Sequence, residues 1–382
     1  MVAAALAAAV ITIGEPGPMQ GAGNRVAWIP DSPNAVVLQR DGDARTFDRL
    51  AELRKALNER PGDAVAATRY GRLALQYLAR TGDARFLGYA DGALRYWQAE
   101  RRPPQSVWLL RARILQSEHR FRAAADELLR MQKVHGASVE GMLLAADALR
   151  RAGDVNTAKS LCFRLGLTGH ELLARYCAAD VLLSLGQAEQ AFNTVAAASV
   201  PFQNRDNPIL QWALTVKADA AAAAGHVQFA ETHYRQAIEL PGASIALHVS
   251  YADLLLNHSR PEDALQALAA LPNADAVLLR RAIAAKRLKR PEAGEFGDEL
   301  RRRFAEAERF QFDRLHLRER AMFALFVDND AEAALQYASA NWQIQKGFED
   351  AELLVEAARS AGVPDEAQII DHWRRRFLAS GG

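Results

Sequence analysis

Charge of one sign is what this 382-residue sequence lacks most: 47 Lys and Arg against 46 Asp and Glu leave a formal +1. Phosphate recognition normally needs a basic surface excess, so a nucleic-acid partner is not expected. Long apolar runs are missing too. The uncharged stretch Ala3–Ile13 falls well short of the about 20 residues a membrane-crossing helix needs, which argues against an integral membrane protein. Cysteine is down to Cys162 and Cys177, and the nine His are scattered, so zinc-ligand spacing is absent. No HExxH pair, glycine-rich phosphate loop, GxSxG elbow or dinucleotide fingerprint occurs. Acidic neighbours such as Asp126 and Glu127 are successive helix residues that do not face each other. Together these absences speak against an enzyme, a metal centre and a cofactor.

What the sequence has instead is a stride. Small residues sit twelve apart in Ala112 and Ala124, Ala146 and Ala158, Ala179 and Ala191, Ala218 and Ala230, Ala252 and Ala264, and Ala282 and Gly294; Met322 and Ala334 are a looser seventh pair. The later members recur after 34, 33, 39, 34, 30 and 40 residues, the pattern of stacked helix pairs with insertions in their loops. Within a unit the first small residue marks where two helices cross, because a larger side chain there would force them apart. Turns follow at Gly153-Asp154, Gly186-Gln187 and Gly225-His226, where glycine can take the left-handed conformation that ends a helix. Pro261, Pro291 and Pro364 then stand near the first turn of a second helix, where a missing N–H costs nothing. The expected fold is all-α: a right-handed α-solenoid of about eight to nine helix pairs over residues 46–379, closed by a C-terminal capping helix. Residues 1–23 read as a leader segment or an alanine-rich tail, and residues 24–45 as an irregular lead-in.

The units resemble tetratricopeptide repeats. Trp108, Ala112, Phe121 and Ala124 sit where that motif puts its first-helix aromatic, its crossing residue, its second-helix aromatic and its characteristic Ala; Tyr234 and Ala237 match its later positions. Lys289-Arg290 departs from it by replacing the glycine turn, and Met322 by replacing a small residue. Two segments, Gly82-Asp83 through Leu87-Gly88-Tyr89-Ala90 to Trp97 and Arg318-Glu319-Arg320-Ala321 to Asn341-Trp342, are similar to a bacterial group of exported tetratricopeptide proteins. That similarity implies export to the periplasm or beyond and a single solenoid. It brings no catalytic residue. A cytoplasmic location is the alternative.

Three sets of residues are candidates for function. The residue after each first-helix small residue is Arg113, then Asp147, Asp180, Asp219 and Asp253. In tetratricopeptide arrays this position faces the concave groove, so the four Asp are expected to form an acidic row suited to a protein or peptide with basic residues. Tyr176 and Trp212, near the same face, would supply apolar anchors. The competing reading is a solvated helix face without a partner. Cys162 and Cys177 fall on adjacent helices and would close a 15-residue loop in an oxidising compartment, worth about 3 kcal/mol in the chain-entropy model; two buried thiols are the alternative. Basic clusters at Arg280-Arg281 and Arg301-Arg302-Arg303 read as solvated faces or as a contact for an anionic surface. The expected function is a non-catalytic scaffold that holds a protein or peptide segment in its groove; a structural spacer of the cell envelope, working through its ends or convex face, is the rival.

Overall fold

The computed structural model describes residues 44–199, 208–309 and 316–378, and among these helices are the only regular structure. The leader segment and nearly all of the lead-in lie outside the described residues. Among the described residues a lone helix, α1 (Ala44–Glu59), precedes nine helix pairs. The first four pairs are α2 (Ala64–Thr81) with α3 (Arg85–Gly92), α4 (Gln105–Ser117) with α5 (Phe121–His135), α6 (Val139–Arg151) with α7 (Val155–Leu167), and α8 (Glu171–Ser184) with α9 (Ala188–Val195). The next three are α10 (Pro208–Ala223) with α11 (Val227–Ile238), α12 (Ile245–Asn257) with α13 (Pro261–Leu268), and α14 (Asp275–Arg287) with α15 (Glu292–Arg309). The last two are α16 (Leu317–Phe323) with α17 (Ala331–Ile344), and α18 (Phe348–Ser360) with α19 (Gln368–Leu378). Most helices pack on their neighbours in sequence, and each first helix also touches the first helices of adjoining units. Such nearest-neighbour stacking defines an α-solenoid.

Local chemistry sets the boundaries. The side chains of Asp63, Ser138, Asp154, Ser244 and Asp330 accept hydrogen bonds from the first free N–H groups of α2, α6, α7, α12 and α17. Gly82, Gly153, Gly186 and Gly225 turn the chain with φ between 70° and 86°. Lys289 stands in the same left-handed region at φ 55°, so the turn that lost its glycine keeps its geometry and bears the strain of a Cβ there.

Crossing residues behave as the twelve-residue stride predicts over most of the array. Ala112, Ala124, Ala158, Ala179, Ala191, Ala218, Ala230, Ala252, Ala264 and Ala282 are fully buried. Two expectations are corrected. Gly294 is exposed, because α15 is a long helix whose buried side begins three residues later, at Gly297, and continues through Leu300 and Phe304. Met322 is only partly buried; Ala321 takes the crossing, thirteen residues before Ala334. The extra residue is absorbed by a π-helical turn at Ala324–Asp328, which widens the helix by one residue per turn.

The solenoid curls until its parts meet again. One apolar core joins residues of α4–α8 to residues of α16–α19, with Trp342 and Trp373 packed edge to face inside it. The Lys346 N–H donates to the Arg151 carbonyl at 2.9 Å, bringing the α17–α18 turn onto the α6–α7 turn. Elsewhere α12 touches α2. Among the described residues no helix is long and apolar enough to cross a membrane.

Candidate functional site: the polar row of the first helices

The residues expected to line the groove do not form a free acidic stripe. Each member has a partner, most often from the neighbouring unit, because the residue after the crossing position points toward the next first helix. Arg113 in α4 donates to Glu140 of α6 at 3.0 Å. Asp147 accepts from Gln116 of α4 at 3.1 Å, and from Arg150 and Arg151 of its own helix at 2.6 and 3.2 Å. Asp180 accepts from the Trp212 indole N–H of α10 at 3.2 Å. Asp219 accepts from the Tyr234 hydroxyl of its own unit at 2.6 Å. Asp253 takes Arg280 of α14 in a two-point bond, at 2.9 and 2.8 Å. Arg150 extends the ladder by donating to Ser184 of α8 at 2.9 Å.

Electrostatics differ along this ladder. Burial works against ionisation of Asp147, yet Arg151 and Arg150 outweigh it and hold its carboxyl down at about 2. Asp180 is raised by burial in spite of Arg150. Asp219 is pushed up to about 7, first by burial and then by the charge of Glu349 in α18. The row therefore runs from a locked anion at Asp147 to a carboxyl at Asp219 that takes up its proton near neutrality. Its main work is to key one unit onto the next.

Tyr176 is fully buried, with its hydroxyl donating to the Ser199 carbonyl at 3.1 Å and its ring 5.8 Å from Trp212. This corrects the expectation of an exposed apolar anchor: the cluster that Tyr176 belongs to is packed over by partly buried residues that include Trp212 and Phe348, at the start of α18. Burial pushes the Tyr176 hydroxyl up to about 12, so it stays protonated. Trp212 remains partly exposed. A cleft of about 570 Å³ opens between the α7–α8 turn, at His170 and Glu171, and the residues Ala198 and Ser199; no member of the row lines it.

Cys162 of α7 and Cys177 of α8 are joined as a disulfide, with Cα atoms 5.4 Å apart. The basic clusters are spoken for. Arg280 is buried against Asp253, Arg301 pairs with Asp298 and Asp328, Arg302 with Glu299 and Glu306, and Arg303 with Asp275 and Glu299. Reading Arg280 as a solvated residue was the error; its 27-residue distance from Asp253, close to one repeat, was the available signal. Among the described residues no group of three His, Cys, Asp or Glu stands close enough to hold a metal ion.

Stacked helix pairs with small crossing residues make the chain a tetratricopeptide-type α-solenoid. Among solved structures it is similar to the APC/C hetero-tetramer Cut9–Hcn1, at 13% identity with a TM-score of 0.54 over 88% of this chain and 64% of that one, so it spans less than two thirds of that chain's length. It is also similar to a Rap protein complexed with competence and sporulation factor, at 13% identity with a TM-score of 0.43 over 90% and 88% of the two chains. A tetratricopeptide repeat protein from Parabacteroides merdae matches at 12% identity and a TM-score of 0.36 over 82% and 99%. The Cut9–Hcn1 likeness carries the fold assignment and nothing finer. No family model matches the sequence, and no curated protein matches it.

Proposed function

We propose that this protein is a non-catalytic scaffold that holds a protein or peptide segment, exported to the periplasm or beyond. The observation that carries the reading is the stack itself: consecutive first helices are keyed by inter-unit hydrogen bonds, an arrangement of the kind that suits an extended partner. The Cut9 relative supports it as a solenoid crystallised in a hetero-tetramer with Hcn1. Export draws support from the two cysteines, which stand at bonding distance across α7 and α8, since disulfides persist in oxidising compartments. Near-neutral composition and the pairing of the basic clusters favour a protein partner over a nucleic acid. A spacer acting through its ends or convex face is a second reading, favoured by the way the C-terminal unit packs onto earlier units of the array.

The test is capture of a partner by the immobilised full chain from envelope and cytoplasmic extracts, followed by cross-linking mass spectrometry. Cross-links from a stoichiometric partner to the first helices α6, α8, α10 and α12 support the scaffold. Cross-links confined to the second helices or to the ends favour the spacer. Retention of no protein from either extract overturns both.

A further inference from the structure

We infer that the exposed face of α2, with Tyr96 at its head, is a docking surface for an acidic protein segment that carries an apolar residue at one end. This surface lies apart from the polar row and does not depend on it. It gives the molecule a second contact, at the first helix pair of the array.

Helix periodicity builds the face. Arg69, Arg72, Gln76 and Arg80 follow one another at steps of three and four residues, which sets them in one stripe of α2, and all four are exposed. Tyr70, Ala74 and Leu78, on the other side of the helix, are buried in the core that joins α2 to α3 and α4. From Arg69 to Arg80 the stripe runs about 16 Å at the rise of an α-helix. It contains no acidic residue, and among the described residues none of its three Arg has a hydrogen bond or an ion pair. Asp63, at the start of α2, is already engaged: it accepts from the Val65 and Ala66 N–H groups and pairs with Arg60 at 3.6 Å. The run Arg301-Arg302-Arg303 differs, since Asp298, Glu299, Glu306, Asp328 and Asp275 answer it in place. Arg69 and Arg72 stand one turn apart and repel each other; an incoming carboxylate relieves that repulsion and can accept two parallel N–H bonds from one guanidinium.

The head of the stripe is apolar. Val65, one turn before Arg69, is 57% exposed and Tyr96 is 63% exposed, so two large apolar side chains are open to solvent beside the unpaired cations. The Tyr96 ring lies over Gly62, three residues ahead of Val65, where a Cβ would stand 3.2 Å from the ring. Tyr is enriched among the residues that carry docking energy, and a charged stripe next to it steers the partner and fixes its register. A bilayer surface fits less well, because interfacial binding calls for a wide apolar face. A nucleic acid fits less well too, because phosphate affinity grows with the number of contacts and the stripe has three cations.

The experiment is fluorescence anisotropy with a labelled synthetic peptide, two Leu followed by a run of Glu, and its Gln counterpart, titrated with the full chain at low salt. Arg69→Glu with Arg72→Glu should weaken binding of the Glu peptide about ten-fold or more, and Tyr96→Ala should weaken it about ten-fold. Arg164→Glu with Arg175→Glu, an exposed pair elsewhere, should leave it unchanged. All these side chains are exposed, so the variants should keep the helicity of the parent. Absence of binding, or an equal loss in the two reversed pairs, overturns the surface. Equal affinity of the Gln peptide overturns the charge preference, and unchanged affinity in Tyr96→Ala overturns the apolar head. If phosphatidylglycerol vesicles or a single-stranded RNA bind more tightly than the peptide and are lost on reversal of Arg69 and Arg72, the acidic protein segment is the wrong occupant. Reversal of the stripe should leave cross-links of a captured partner to α6, α8, α10 and α12 in place, so this inference and the scaffold fail separately.

Discussion

Asp147 and Asp219 occupy the same place in their units, one residue past the crossing Ala of a first helix, and their carboxyls end in opposite states. In α6 the next turn brings Arg150 and Arg151 onto the same side, and the carboxyl is held at about 2 against the cost of burial. In α10 the next turn is the alanine run Ala220–Ala224, the partner is the Tyr234 hydroxyl, and burial with Glu349 pushes the carboxyl up to about 7. Asp253 follows a third course and draws its cation, Arg280, from the adjoining unit. Register decides where a carboxyl stands. Its neighbours decide whether it is an anion, and so whether it keys the stack or leaves electrostatic tension in it.

The largest effect should come from breaking the borrowed pair. Arg280 is 2% exposed, so Asp253→Ala strands a buried cation and should cost about 3–5 kcal/mol in urea unfolding. Adding Arg280→Leu should restore much of that loss. Asp219→Asn, at the equivalent position, should be neutral or stabilising at neutral pH, and a loss as large as that of Asp253→Ala would erase the contrast between the two sites.

Next comes the cross-link between α7 and α8. Cys162→Ser with Cys177→Ser should lower the stability of the oxidised protein by about 3 kcal/mol. Native-state hydrogen exchange should show the loss in α7 and α8 before α10–α12, since the disulfide ties only the former. A uniform loss over the array would mean that the units unfold as one.

The dependence on pH is the last contrast, and its sign differs between the two carboxyls. Asp219, raised from its ordinary 3.8 to about 7, contributes stability that is present below about 4 and lost as pH rises through about 7. Asp147, lowered from 3.8 to about 2, contributes stability that is present above 3.8 and lost as pH falls through about 2. Denaturation across pH should therefore show Asp219→Asn flattening the decline between about 4 and 7 while leaving the acid limb in place. Asp147→Asn should do the reverse.

The stride of small residues was legible because close helix contact admits only small side chains, and that constraint is local. It failed at Gly294 and Met322, where a longer helix and a π-helical turn shift the register by three residues and by one; neither leaves a mark in a fixed spacing. The row was legible for the same reason, since its members follow the crossing residues. Its pairing was less so, because Gln116, Trp212 and Arg280 reach it from neighbouring units through the rotation between them. Arg150 and Arg151 were within reach of a helical reading, at three and four residues from Asp147. The packing of Phe348 on the cluster around Tyr176 was out of reach altogether. It depends on how far the superhelix curls, a sum of small unit-to-unit angles that no single motif encodes.

Closure of the superhelix is tested most directly by the hydrogen-exchange rate of one amide. The Lys346 N–H lies past the end of α17, and the Arg151 carbonyl that receives it stands at the end of α6, far earlier in the chain. If the superhelix closes as described, this amide should exchange as slowly as the helical amides of α17. Exchange at the rate of an unprotected peptide, with α17 itself still protected, would show a superhelix that stands open.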